Sequence, residues 1–255
     1  MLKKRIIPLQ LLLNSRLVKT LNFDSYRDVG DPVNSSKIYD SQDADELVFL
    51  NIDRSNRTIE PLLKLIDKVS EVCFMPLALG GGIKTVEDAT SLILNGADKI
   101  IINSKCYDDK SIITKISEKF GSQAVVVSID VKRNVFTNKF DLYSACGIKK
   151  EMVSLENHIS AVVEAGAGEI LINSIDKDGT MSGYDLDLLK TVSALSCIPI
   201  IGCGGSGNFV DLLNAFSETS VDALGCGSIF NFGDNNPLRA KAFLKNYNIP
   251  LKHIG

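Results

Sequence analysis

Short apolar runs recur along this chain, and polar-faced stretches fill the intervals between them. Runs that fit buried parallel strands lie near residues 5 to 11, 46 to 51, 74 to 79, 98 to 102, 124 to 130, 168 to 173, 198 to 203 and 221 to 226. Between them apolar residues return at helical spacing over Ile59 to Val72, Thr85 to Leu94, Ile112 to Phe120, Ser154 to Glu164, Asp185 to Leu195 and Val210 to Phe216, with a last stretch near Leu238 to Tyr247. Such alternation admits an open doubly wound sheet or a closed (β/α)8 barrel.

An internal echo favours closure. Met75-Pro76-Leu77-Ala78-Leu79-Gly80-Gly81-Gly82 returns as Ile198-Pro199-Ile200-Ile201-Gly202-Cys203-Gly204-Gly205-Ser206-Gly207, and the strand before each copy ends alike, in Asn51-Ile52-Asp53 and Ser174-Ile175-Asp176. The expected fold is a single (β/α)8 TIM barrel over 1–255, with half-barrels of about 1–120 and 121–255. No proline-rich or low-complexity linker divides the halves.

Composition narrows the partners. Hydrophobic residues make up 45%, enough for a large core, and a net charge of -3 provides no basic footprint for nucleic acid or a membrane surface. Met1 to Leu13 imitates a signal peptide, but Pro8 and Gln10 interrupt the apolar run, so it is read as a first barrel strand. Six scattered cysteines without ligand spacing, and two histidines, His158 and His253, predict no metal and no cofactor. They suit reduced core thiols in a cytoplasmic protein.

A barrel places its chemistry at the carboxyl ends of its strands. That rule selects Leu11, Asn51, Gly80 to Gly82, Asn103, Asp130, Asn173 with Asp176, Gly204 to Gly207, and Gly227 with Ser228. Glycine turns let backbone N–H groups approach a phosphate, and each half carries one, followed a strand later by Asn103-Ser104 or Gly227-Ser228. Tight structural turns would read the same way singly. Two matching copies point to a doubly phosphorylated or two-ended ligand. At the opposite face Arg5, Glu46, Lys99 and Glu169 open four strands, two cations and two anions that can neutralise one another as a buried ring.

These residues, with Val18-Lys19, Arg27 to Pro32, Gly121-Ser122-Gln123 and Ser174 to Thr180, resemble the HisF-type cyclase subunit of imidazole glycerol phosphate synthase from Met1 to about Phe232. The resemblance implies two phosphate sites on the catalytic face, with Lys19, Gly81, Gly82, Asn103, Ser104, Asp176, Asp178, Gly179, Thr180, Gly204, Gly205, Gly207, Gly227 and Ser228 as binding residues. It implies a HisH-type glutaminase docked on the opposite face beside Asp45 and Asp98, both expected as exposed strand-end charges. Ammonia would then pass the gate of Arg5, Glu46, Lys99 and Glu169 into the barrel.

One departure bears on the chemistry. The family uses aspartates at the ends of strands one and five as general acid and base; Asp130 matches the second, whereas Leu11 stands in the first position and cannot transfer a proton. Asn51 and Asn231 replace an aspartate and a histidine, and Ala145 to Lys150 carries two lysines in place of the family's glycine-threonine-glycine pattern. This resembles a paralogue branch in which barrel and glutaminase supply ammonia to a separate ATP-dependent sugar amidotransferase for acetamidino modification of surface polysaccharide. Cyclisation in histidine biosynthesis and a non-catalytic phosphate sensor remain as alternatives. The stretch from Asn14 to Asp31, with little apolar periodicity, is expected as a lid.

Overall fold

The computed structural model describes residues 3–252, so His253 and the first two residues lie outside it. Strand β1 (Arg5–Leu13) runs up the wall and turns back as the hairpin β2 (Arg16–Thr20) and β3 (Tyr26–Gly30) before helix α1 (Pro32–Ser41). There follow β4 (Leu47–Asn51), α2 (Glu60–Val69), β5 (Leu77–Gly80), α3 (Val86–Leu94), β6 (Lys99–Ile102), the short α4 (Ser104–Asp108) and α5 (Ser111–Phe120). Strand β7 (Val125–Arg133) extends into antiparallel β8 (Phe140–Ser144) and β9 (Lys149–Lys150), ahead of α6 (Leu155–Glu164). The remaining units are β10 (Glu169–Ser174), α7 (Leu186–Leu195), β11 (Ile200–Cys203), α8 (Phe209–Glu218), β12 (Ala223–Cys226), the single turn α9 (Ser228–Asn231) and α10 (Pro237–Lys245).

Parallel pairing runs β10-β11-β12-β1-β4-β5-β6-β7, and β7 pairs with β10, so eight strands close on themselves. The expected barrel is therefore the observed one. Period-two alternation sorts its wall into two cores. Ile7, Val48, Ala78, Ile101, Val126, Leu171, Ile201 and Ala223 face inward, while Ile6, Leu47, Phe49, Leu79 and Ile100 face outward onto the helices.

The base of the barrel carries a repeated clamp. Asp45 donates its N–H to the Ile6 carbonyl at 3.2 Å and accepts the Ile6 N–H on Oδ2 at 2.7 Å. Asp98 does the same with Leu77, at 2.9 and 2.8 Å, and Asp222 with Ile200, at 2.9 and 3.1 Å. Asp45 is thereby buried, and its Oδ1 accepts from the buried Lys241 Nζ at 2.8 Å. The expectation of an exposed Asp45 is corrected: a carboxylate tied to α10 and to the base of β1 is structural. Asp98 does stay exposed, with one oxygen engaged.

Periodicity did not foretell α1, the short α4 and α9, or the hairpins β2–β3 and β8–β9. α1 buries Pro32, Ser36 and Tyr39, which make no apolar stripe. The β8–β9 hairpin is half exposed, and β2–β3 turns the Asn14–Asp31 stretch into an ordered hairpin.

Candidate functional site

The strand ends surround a cavity of about 1040 Å³. Its floor is apolar, formed by Leu9, Leu11, Leu50, Ile101 and Cys203, all carried inward by the barrel's alternation. Leu11 is paired with Leu50 of β4 and Val18 of β2, which leaves it only 8% exposed. A leucine side chain at this position cannot exchange a proton.

Asp130, at the carboxyl end of β7, is the polar exception. It is buried and accepts a hydrogen bond on Oδ2 from Asn103 Nδ2 at 2.8 Å. Loss of water around the carboxyl pushes its pKa up to about 7; the Asn103 hydrogen bond opposes this and the charge of Asp178 adds to it. Such a group stands poised between acid and base near neutrality.

The glycine turns flank this floor on opposite sides. Gly81 has φ +94°, and a Cβ there would collide with the Asn51 carbonyl; Gly204, at φ +93°, has the Ser174 carbonyl in the same relation. Each turn is pinned by a capping box on its following helix. Asp88 Oδ2 accepts from the N–H groups of Lys84 and Thr85 at 2.8 and 3.0 Å, and Asp211 Oδ2 from those of Gly207 and Asn208 at 2.9 and 3.0 Å. Both turns are therefore rigid before any ligand arrives. Ser206 and Ser228 line the cavity, and their buried hydroxyls have no hydrogen-bond partner among the described residues. Buried donors of this kind suit an anion's oxygens.

Lys19 is buried, forms an ion pair with Asp178 and lies against Gly227, while Asp178 also accepts from Thr20 Oγ1 at 2.6 Å. Gly82, Ser104, Gly179 and Gly205 line the cavity as well. Three expected binding residues do not. Asp176 Oδ2 instead accepts from the Arg133 N–H at 2.7 Å, and Thr180 Oγ1 donates to the Lys177 carbonyl at 2.9 Å. Gly207 spends its N–H on Asp211 at 2.9 Å and lies outside the cavity wall. Lys149 and Lys150 also turn away, pairing with Glu151 at 3.1 Å and Asp141 at 2.6 Å.

The mouth holds residues that sequence reading passed over. Arg54 Nη2 donates to the Phe23 carbonyl at 2.7 Å and to the Cys146 carbonyl at 3.0 Å, strapping the β2–β3 hairpin to the β8–β9 hairpin. Asn22 Nδ2 ties the same tip to the Ile175 and Asp176 carbonyls, at 3.0 and 2.9 Å. Arg57, Lys84 and Lys105 also face the cavity. Their place directly after strands two, three and four was the available signal. The two cysteines that line the cavity are poor nucleophiles: burial raises the Cys146 thiol above its ordinary range and Cys203 further still.

At the base, the four charged residues do meet. Arg5 pairs with Glu46 at 3.0 Å and also with Glu169, and Lys99 pairs with the same two acids at 2.7 and 3.0 Å. Burial works against the Arg5 charge, yet the two glutamates hold its pKa above the ordinary value. The inward apolar layer from Ile7 to Ala223 separates this ring from the cavity floor. Glu46 Oε1 is buried without a hydrogen-bond partner among the described residues.

Comparison with known proteins gives one consistent result. The family model described as "Histidine biosynthesis protein" matches residues 5–236. Imidazole glycerol phosphate synthase subunit HisF of Alkaliphilus metalliredigens is 41% identical over 252 residues, covering 99% of this chain and 100% of the relative. A putative subunit hisF3 of Vibrio vulnificus is 40% identical over 250 residues, 98% of this chain and 95% of the relative. A putative subunit hisF2 of Pseudomonas aeruginosa is 41% identical over 232 residues, 91% and 92% of the two chains.

Proposed function

This chain belongs to the histidine biosynthesis protein family, within its HisF-type cyclase subunits, and on that premise we propose that it is the ammonia-receiving barrel of a glutamine amidotransferase whose cyclase chemistry has lapsed. The observation that carries the reading is Leu11. The charged ring, the rigid glycine turns and Asp130 are kept, while the carboxylate needed opposite Asp130 is replaced by a buried hydrocarbon. One acid/base group contributes about 10²- to 10⁴-fold to a proton-transfer step.

In this reading a HisH-type glutaminase docks on the base, where Asp98 is exposed. Ammonia released there meets Arg5 and Lys99, each bridging both glutamates, so a passage along the axis opens only when one bridge is broken. The free Glu46 oxygen offers the incoming molecule an acceptor. Beyond the ring, the apolar layer admits neutral ammonia and rejects ammonium, because an unpaired charge is costly in a dry interior. The acceptor is assigned to a separate ATP-dependent sugar amidotransferase that turns an acetamido group into an acetamidino group. Support for that assignment is the lost acid/base and the Leu11 to Lys19 segment.

A second reading, cyclisation in histidine biosynthesis, is favoured by one feature: Asp130 near pKa 7 is suited to proton transfer. The discriminating experiment is turnover of the ribulosyl nucleotide at saturating ammonium, in the wild-type chain and in Leu11→Asp, with complex formation by a cognate glutaminase followed alongside. Background turnover in wild type, a gain in the variant and an intact complex are expected. Robust wild-type turnover would return the chain to histidine biosynthesis.

A further inference from the structure

The two glycine turns are built alike, yet their surroundings differ in charge. Around the first, Arg54 and Arg57 rise from the β4–α2 loop, Lys84 follows the turn itself, and Lys105 is the second residue of α4; all four line the cavity. Arg57, Lys84 and Lys105 have no ion-pair partner among the described residues, and Arg54 binds only carbonyl oxygens.

The repeated segments allow the second turn to serve as an internal control. Where the first half has Lys84 after its glycines, the second has Gly207; where the first has Arg57, the second has Thr180. Lys105 is answered by Ile229, and Arg54 by Lys177, whose Nζ lies 3.3 Å from Ser182 Oγ and does not line the cavity. Lys177 packs against Gly205 through its Cβ, so among the described residues the cation that lines the cavity at the second turn is Lys19, already paired with Asp178.

Carboxylates do not cancel the asymmetry. Asp53 is committed within its own loop, accepting from the Ser55 and Asn56 N–H groups and the Ser55 hydroxyl at 2.8, 3.1 and 2.7 Å. Asp108 lines the cavity and lies 3.8 Å from Lys149, which does not. Asp24, at the tip of the β2–β3 hairpin, is the remaining acid on this side of the mouth. Four cations against these three leave an excess of positive charge beside a turn whose glycine N–H groups already favour an anion.

We propose that the first-half turn takes a diphosphate group and the second-half turn a singly phosphorylated or less charged end of the same ligand. Arg57 and Arg54 supply planar donor forks for phosphate oxygens, and Lys84 and Lys105 supply point charges at either side. The inference rests on the reading that the two turns hold the ends of one anionic ligand. It narrows that ligand to a diphosphate-bearing metabolite.

The test is calorimetric titration of the full-length chain with inorganic pyrophosphate and with orthophosphate at matched ionic strength. Arg57→Gln/Lys84→Gln, two exposed positions, and Lys68→Gln, an exposed cation of α2 outside the cavity, serve as variants. Pyrophosphate binding at least about tenfold tighter than orthophosphate is expected, with the double variant removing most of that preference and Lys68→Gln leaving it in place. Equal affinity for the two anions, or a preference that survives the double variant, overturns the inference while the two-site reading stands. Failure of both anions to bind overturns both.

Discussion

Replacement of Asp130 by Asn should make the protein more stable in a way that depends on pH. Burial raises the carboxyl from 3.8 to about 7 in the folded chain, whereas the unfolded chain keeps the ordinary value. Below about pH 4 both states hold the proton, and Asp130 contributes no pH dependence. Between about 4 and 7 the unfolded state ionises first, so folding stability falls as pH rises; above about 7 both are ionised and the loss levels off. Roughly three pKa units at 1.36 kcal/mol each set that loss at about 4 kcal/mol. Asparagine abolishes it. Its oxygen can still accept from Asn103 Nδ2, but its new N–H₂ needs an acceptor, which costs about 1–3 kcal/mol when unmet. Urea denaturation of both proteins at pH 4.5 and pH 8 is the assay, since other carboxyls cancel in the difference. The amide cost is the same at both pH values and cancels, so the variant should gain about 3 kcal/mol over wild type at pH 8 relative to the difference at pH 4.5. A difference that is the same at both pH values would refute the buried, proton-holding Asp130.

Lys241→Ala should cost about 3–5 kcal/mol in urea denaturation, because it strands the buried Asp45 carboxylate without its partner. Gly81→Ala should reduce the orthophosphate-induced rise in melting temperature to the part that the second turn supplies, because the added methyl meets the Asn51 backbone. Arg54→Ala should release the strap over the mouth and speed chymotryptic cleavage at Phe23 and Tyr26 severalfold, with little change in global stability, since the lost contacts are exposed.

The barrel was legible because its wall obeys one simple rule. Each of the eight parallel strands is a short apolar run bounded by polar turns, and closure needs only their number and alternation. What escaped was held by contacts without a sequence period. α1 packs through Pro32, Ser36 and Tyr39 rather than a hydrophobic stripe, and the β2–β3 hairpin is fixed by Asn22 and Arg54 reaching distant carbonyls. The same limit applies to the site. Asp130, Lys19, Gly81, Gly82, Gly204 and Gly205 line the cavity, because strand ends fix where they point. Asp176 and Thr180 do not, because the loop after β10 turns them back onto Arg133 and Lys177. Asp45 reads as a surface acid until α10, nearly the whole chain away, brings Lys241 to it.

The aspartate clamps at the base carry a consequence for how such a barrel changes over time. Asp45, Asp98 and Asp222 each lock two neighbouring strands through a reciprocal pair of hydrogen bonds, which fixes how far one strand is staggered against the next. At the fourth such place stands Gly168, whose N–H reaches the Val125 carbonyl at 3.0 Å with no side chain to answer it. The stagger is thus set at the end of the molecule remote from the cavity. Residues on the upper rim are relieved of architectural duty, and position 11 can hold a leucine while the wall closes as before. Chemistry at one end of this molecule is free to drift because geometry is kept at the other.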